Sequence, residues 1–463
     1  MNVSPAWRIS FFGAILLASL TICSRHFADR GGPPFMASLT VAGIAYLLAI
    51  REFFRAPKFP RRVVVIGLVL AAVWNIEFLR LPPGMDDDIH RYVWDGRLQR
   101  LGYNPYLVVP SDPAVEGLHT AETRSLNNPD LPSPYPPGAQ LFFRAATAIQ
   151  ESTFALKVAF VICEFAIVFL LLDILRRSRQ GSHLVLAFAW NPLLAIEVAG
   201  SGHIDIVGVL FLVISAAALA RRWRPTAAVA LALAIAVKFL PIVLLPLYWK
   251  RVRIRDAVLA AAVFALLYVP FLNHGRIPTG SLSTYVQSFR FNGPVFAALA
   301  HVAPPQLLAG LAALVGFVTA VWLRSRETLT TLGLRSGQAP NTEFHRGDAA
   351  TFPLRNSVLS MVQGFDFSWP MAAALFFAPV VFPWYLLWLL PFLASASTLP
   401  IIVWTVSIIP VYIQWHLRAL GHPWGALPGW VMLIEYGAVA AAGVILALRP
   451  VPQPPGPTVQ GSR

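Results

Sequence analysis

A series of apolar stretches, each about twenty residues long and separated by short clusters of arginine and lysine, decides what this chain can become. A stretch of that length crosses the hydrocarbon core of a bilayer as a helix. Inside a bilayer only helices or closed barrels satisfy every backbone N–H and C=O. Composition agrees. Of 463 residues, 57% are hydrophobic and 13% charged, against about 25% charged in soluble domains, and mean hydropathy is +0.63. The chain is therefore read as an all-α polytopic membrane protein. Its net charge of +14 sits in short clusters between apolar spans, where it sets topology and meets anionic headgroups. No basic domain stands outside the membrane, so nucleic acid is excluded as a partner. Cys23 and Cys163 provide neither a disulfide framework nor metal-ligand spacing. The apolar run from Ile9 to Cys23 lacks a convincing cleavage site and reads as a first membrane helix, not a removed signal peptide.

Apolar spans near 8–24, 36–51 and 63–80 predict the first three helices. The loop REFFRAPKFPRR between the second and third carries five bases and one acid and is expected on the cytoplasmic side. The third helix then exits, leaving 81–137 as a long extracytoplasmic loop with eight of the 22 acids. The segment 138–150 is too short to cross and is expected in the interface. Spans at 154–175, 183–198 and 204–220 come next. Residues 226–249 lie between RRWR and KRVRIR, both cytoplasmic by charge, so a broken re-entrant pair of half-helices is expected, with Lys238 near the break. Further spans at 256–272 and 305–323, an exit near 369–382 that turns at 382–385 and returns by about 397, and spans at 399–414 and 428–448 complete a bundle of about 12 crossings plus the re-entrant pair. Both termini are expected on the cytoplasmic side, with 324–356 as a cytoplasmic loop. One transmembrane domain, 1–449, precedes a disordered cytoplasmic tail, 450–463.

The most polar segment is MDDDIHRYVWDGRLQRLGYNPY, 85–106. On a helix starting near Asp86, the residues Asp88, Tyr92 and Asp95 share a face, and Arg91 lies one turn from Asp87, Asp88 and Asp95. One Asp at a helix start caps free N–H groups and suits the helix dipole; three in a row repel one another, which points to a second role. Carboxylates beside aromatics and an arginine at a membrane surface suit a site that takes a proton from a hydroxyl.

Other polar and aromatic clusters fall on the same expected outer side: 132–137, 200–205, 285–292, 382–385 and 414–424. They imply one outward-facing site beneath the first loop, although Trp388, Trp404 and Trp430 are equally explained by the interfacial aromatic belt. In Gly200-Ser-Gly-His-Ile-Asp205 the glycines allow a tight turn. His203 and Asp205 either cap that turn or bind a sugar or phosphate; two ligands are too few to define a metal site. Lys238 inside a membrane requires a partner or a cavity, or else snorkels to headgroups. Arg290, His416 and Arg418 are further phosphate candidates.

These segments resemble a known superfamily. DDIHRYVWDGRLQRLGYNPY with the downstream SPYPPGAQLFF is similar to the first outer loop of the GT-C integral-membrane glycosyltransferases, and nearest to the bacterial envelope mannosyltransferases. WNPLLAIEVAGSGHIDIVGVL resembles that group's Asn-Pro-Leu and Gly-His-Asn-Asp region, with Ile204 where Asn is usual. AVKFLPIVLLPLYWKR, SFRFNGPVF and PVVFPWYLLWLLPFL extend the likeness over about 85–395. The resemblance implies a GT-C-like bundle in the plasma membrane whose active site faces outward. It implies inverting transfer of a sugar, mannose first, from a polyprenyl-phosphate carrier to a hydroxyl of an envelope glycolipid or glycan. An essential Asp in an Asp-x-x-x-Tyr stretch falls on Asp88 and Tyr92, with Asp87 as the neighbouring alternative and Asp86 the least favoured. Arg91 would orient carboxylates or meet phosphate; Lys238, His203, Arg290 and Arg418 could supply positive charge to the leaving phosphate. No cofactor is expected, although adjacent carboxylates could bind a divalent metal. The rival classes are a transporter or flippase, for which no repeated halves are visible, and a non-catalytic binder of lipid-linked sugars.

Overall fold

The computed structural model describes residues 5–331 and 365–448 except 57, 85, 86 and 426; Asp86, the tail 450–463 and residues 332–356 of the expected cytoplasmic loop lie outside it. Eighteen helices occur in order among the described residues: α1 Pro5–Arg25, α2 Pro33–Arg55, α3 Arg61–Leu79, α4 Ile89–Arg100, α5 Pro137–Ile149, α6 Thr153–Arg177, α7 Leu186–Ala189, α8 Asp205–Ala220, α9 Arg224–Val237, α10 Leu245–Tyr248, α11 Ile254–Tyr268, α12 Leu282–Ser288, α13 Pro294–Leu299, α14 Pro305–Thr331, α15 Phe365–Phe376, α16 Leu399–Ser407, α17 Ile413–Ala419 and α18 Gly429–Ala447. Short 3₁₀ and π turns join several of them. No β-strand occurs among the described residues.

Among the described residues, eight helical segments are long and apolar enough to span a membrane, and a bent pair raises this to nine. Three shorter apolar helices, Asp205–Ala220, Arg224–Val237 and Phe367–Phe376, lie among them. The chain is a multi-pass membrane protein. Of the expected crossings, several are therefore built from broken or short helices instead of full-length ones. The span expected at 183–198 is not straight: Ser182–Ala189 and Leu194–Gly200 meet at 65°. Pro192 has no N–H to continue the ladder, and Asn191 turns its side chain to accept from the Leu193 N–H at 3.1 Å. The 226–249 region breaks where expected, at Lys238, which is extended (φ −157°, ψ 139°). Pro241, three residues on, lies in the first turn of a short 3₁₀ helix, Leu240–Leu244. The helix α14 continues to Thr331, so the expected loop at 324 begins inside it.

Two local features hold the outer loop in place. At the end of α4, Gly102 is left-handed (φ 86°). The Gly102 N–H donates to Gln99 O at 3.3 Å and the Tyr103 N–H to Leu98 O at 2.9 Å. This is the paired closure that glycine permits after a helix. Beneath the loop, Trp94 and Leu98 of α4 pack with Val115 and Leu126, and His119 stacks on Trp94 at 4.1 Å. The loop thus carries a small core of its own. The proline run that closes the loop ends in α5, which takes Pro137 in its first turn, the position where a missing N–H costs nothing.

Candidate active site

The 81–136 loop and the helix ends beneath it line an open cavity of about 560 Å³. Its polar wall comes from the start of α4, the 127–135 loop, the 203–205 turn and Lys238. Its other wall is aromatic: Phe382, Trp384, Tyr385, Trp415 and Trp424. The volume falls within the range of small-ligand pockets.

Asp88 stands at the N-cap position of α4, yet its side chain makes no capping hydrogen bond. Instead Oδ1 accepts from Asn127 Nδ2 at 2.6 Å, and Oδ2 lies 4.0 Å from His203 Nδ1. The side chain keeps 22% exposure and lines the cavity. Asp87 is placed differently. It pairs with Arg30 at 2.9 Å, with side-chain exposures of 4% and 5%, and it accepts the Gly84 N–H at 2.6 Å. Arg30 also donates to Ser201 and lies over Phe27. Both carboxylates line the cavity, but they differ: Asp87 is paired to a buried arginine from the α1–α2 link, whereas Asp88 is more exposed and has no arginine partner.

Arg91 is not paired to the acids one turn away. Its Nη2 donates to the carbonyls of Asn128 and Leu131, both at 2.8 Å, and so holds the loop that presents Asn127. Tyr92 is buried, stacked on Phe143 at 4.4 Å and edge-on to Tyr135 at 5.1 Å. Asp95 shares the helix face but ties α4 to the proline run and α5. Its Oδ2 accepts from Ser133 Oγ and from Gln140 Nε2. Burial drives its carboxyl up to about 6, against the pull of Arg91, Ser133 and Gln140.

The turn at 200–204 depends on Gly202, left-handed at φ 77°, where a Cβ would sit 2.4 Å from Ile89 Cδ1. It delivers His203 beside Asp88. His203 Nε2 lies 3.1 Å from Glu197 Oε2, and its ring stacks on Trp384 at 3.9 Å and 10°. Asp205 opens α8, where a carboxylate suits the helix dipole. Its Oδ1 accepts from Lys238 Nζ at 2.7 Å and from Trp388 Nε1 at 2.6 Å. Lys238, freed from α9 by the helix break, keeps 27% exposure and lies 3.7 Å over the Tyr385 ring. The Tyr385 hydroxyl meets that of Tyr285 at 2.6 Å. Arg418 lines the cavity and stands over Trp424.

Two expected phosphate ligands lie elsewhere. Arg290 turns back on its own helix end, donating to the carbonyls of Val286, Phe289 and Gln287, as arginines do at helix C-termini. His416 faces Asp29 at 3.1 Å. Neither lines the cavity. Conversely, Arg30, Asn127 and Glu197 were not singled out in the sequence. Glu197 carried a usable signal, because an acid inside an apolar span is a functional candidate by default. No group of three or more His, Cys, Asp or Glu side chains converges to hold a metal among the described residues.

Comparison with known proteins bears on this geometry. The family model described as "MptA_B_family: Alpha-(1->6)-mannopyranosyltransferase, N-terminal domain" matches residues 17–252. That stretch contains the C-terminal end of α1, all of α2 to α10 and the polar wall of the cavity. No curated protein matches the chain. Among solved structures, the crystal structure of ArnT from Cupriavidus metallidurans bound to undecaprenyl phosphate is similar at 14% identity and a TM-score of 0.40. The match covers 83% of this chain and 74% of that one.

Proposed function

Because this chain belongs to the MptA_B family of alpha-(1->6)-mannopyranosyltransferases, we propose that it is an inverting glycosyltransferase moving mannose from a polyprenyl-phosphate carrier to a hydroxyl of an envelope glycolipid or glycan. The reaction takes place on the outer face of the plasma membrane. The observation that carries the proposal is the shared wall of Asp88 and Lys238: a partly exposed carboxylate and an ammonium lining one cavity. A base for a hydroxyl and a cation for a phosphate are the two groups this displacement needs.

Asp88 takes the proton of the acceptor hydroxyl as that oxygen bonds to the anomeric carbon. The bond from that carbon to the phosphate oxygen breaks on the opposite side, and its electron pair leaves with the phosphate. The single displacement inverts the anomeric centre. Lys238, held by Asp205, meets the phosphate, with Arg418 as a second cation at the cavity wall. Asn127 fixes one oxygen of the base and leaves the other available. No step is routed through a metal. The apolar residues Leu240, Leu282, Phe289 and Leu375 that line the cavity suit the start of an isoprenoid chain.

The test is transfer by the purified protein in nanodiscs. Radiolabelled polyprenyl-phosphate-mannose should label an envelope glycolipid acceptor, and nucleotide-linked mannose should not. Movement of the donor across the bilayer without transfer would favour a flippase, and tight binding without transfer a non-catalytic binder.

A further inference from the structure

Around the 200–204 turn the ionisable groups sort into pairs. Arg30 answers Asp87 and Lys238 answers Asp205. Two carboxylates remain, Glu197 and Asp88, and His203 stands between them. Its Nε2 is 3.1 Å from Glu197 and its Nδ1 is 4.0 Å from Asp88. Nδ1 is buried with no hydrogen-bond partner, a costly state for a ring nitrogen. Glu197 is itself fixed, accepting from the Tyr412 hydroxyl. It lies on a π turn, Leu194–Gly200, of the kind found at functional sites.

We infer that His203 is an imidazolium clamped between Glu197 and Asp88, and that it is the positioning residue that orients the catalytic carboxylate. The inference rests on the function proposed above and deepens it, because it assigns Glu197 and His203 a task at the same site. With both ring nitrogens protonated, Nε2–H donates to Glu197 and Nδ1–H points at Asp88 Oδ2. A small rotation of the Asp88 carboxylate closes the gap to hydrogen-bond length. Asn127 already holds Oδ1. With a donor on each oxygen, the plane of the carboxylate is set, and each oxygen keeps a lone pair for the acceptor hydroxyl. Orientation of this kind is what a positioned base requires.

Two further facts agree. The Trp384 ring lies flat against His203, and the negative face of an aromatic favours a positive neighbour. Burial pulls the imidazolium down, but Glu197, Asp88 and Asp87 together hold it above its ordinary value. The charged groups that bear on His203 are Glu197 from the π turn and Asp88 and Asp87 from the lead into α4. Arg30 acts on it through Asp87 and Glu197, and the Asp205–Lys238 pair lies across the same cavity.

Raising pH removes the proton from His203, Asp88 loses its second donor, and kcat falls on the alkaline side. Glu197→Gln withdraws the charge that holds that proton, so the alkaline limb of kcat should move to lower pH by about one unit. His203→Gln keeps a neutral N–H for Asp88. It should retain part of the rate and lose the limb assigned to His203. His203→Ala should cost about 100-fold in kcat, the lower end of what a well-placed acid–base group contributes. Donor affinity, read by binding of polyprenyl-phosphate-mannose, should change less than threefold in Glu197→Gln, and gel filtration should show folded protein in each variant. The inference is overturned if His203→Ala keeps kcat within threefold. It is also overturned if the alkaline limb stays in place in both Glu197→Gln and His203→Gln. Absence of transfer by the wild type would instead overturn the proposed function, and this inference with it.

Discussion

Asp87 and Asp88 are adjacent in sequence, but the structure predicts opposite phenotypes for their amides. Asp87→Asn removes the charge that answers Arg30. The guanidinium is buried, and it also donates to the neutral hydroxyl of Ser201. Removing one partner of a buried ion pair costs ~3–5 kcal/mol. At 1.4 kcal/mol per factor of ten, this is about two to four decades in the folding equilibrium. The assay is thermal unfolding in detergent, followed by fluorescence of the 14 tryptophans, with gel filtration for aggregation. Asp87→Asn should unfold well below the wild type. Asp88→Asn should unfold within a few degrees of it, because Asp88 has no buried arginine to abandon. The double variant Arg30→Met/Asp87→Leu should regain much of the stability lost, since replacing both ions by apolar side chains is often neutral. Two results would refute the reasoning: wild-type stability in Asp87→Asn, or a double variant no better than the single one.

Two other predictions rest on separate groups. Asp95 titrates near 3.9 in an unfolded chain but is held up to about 6 when folded, so the folded protein keeps a proton that the unfolded chain has already lost. Its contribution is present at low pH and disappears as pH rises through about 6, on the order of 3 kcal/mol in total. Asp95→Asn should flatten the dependence of stability on pH between 4 and 7 and stabilise the protein at pH 8; an unchanged slope would contradict this. Lys238→Met should raise KM for the lipid-linked donor tenfold or more, about 1.4 kcal/mol, with a smaller change in KM for the acceptor. Equal changes in both would place Lys238 outside the phosphate site.

Much of the site was legible because its chemistry is expensive in a membrane. Lys238, His203 and the aspartates stand out among apolar residues, and each must have a partner or a cavity. The Pro241 and Gly202 breaks were readable for a related reason: few other residues make those turns. What escaped was pairing across distance. Arg30 lies in a link between two generic membrane helices, and its partner Asp87 is far along the chain; nothing local marks the contact. Asn127 sits in a loop rich in asparagine and proline, where its composition reads as turn chemistry. Arg290 and His416 misled because a cation near an outer loop has two ordinary uses, capping its own helix or pairing on the surface, and here it has those uses. The shape of several spans was not legible, because apolar length counts residues, whereas Asn191-Pro192 and Lys238 divide apolar stretches into short helices.

The central claim is that Asp88, and not Asp87, removes the proton from the acceptor. Single-turnover transfer of mannose from pre-bound polyprenyl-phosphate-mannose tests it most directly, because pre-binding removes donor affinity from the comparison. With folded protein, Asp88→Asn should slow the chemical step by about 10²–10⁴-fold while binding donor as the wild type does. The folded fraction of Asp87→Asn should transfer at a rate much closer to wild type. An Asp88→Asn protein that transfers at the wild-type rate, or a folded Asp87→Asn protein that cannot transfer at all, would contradict the assignment.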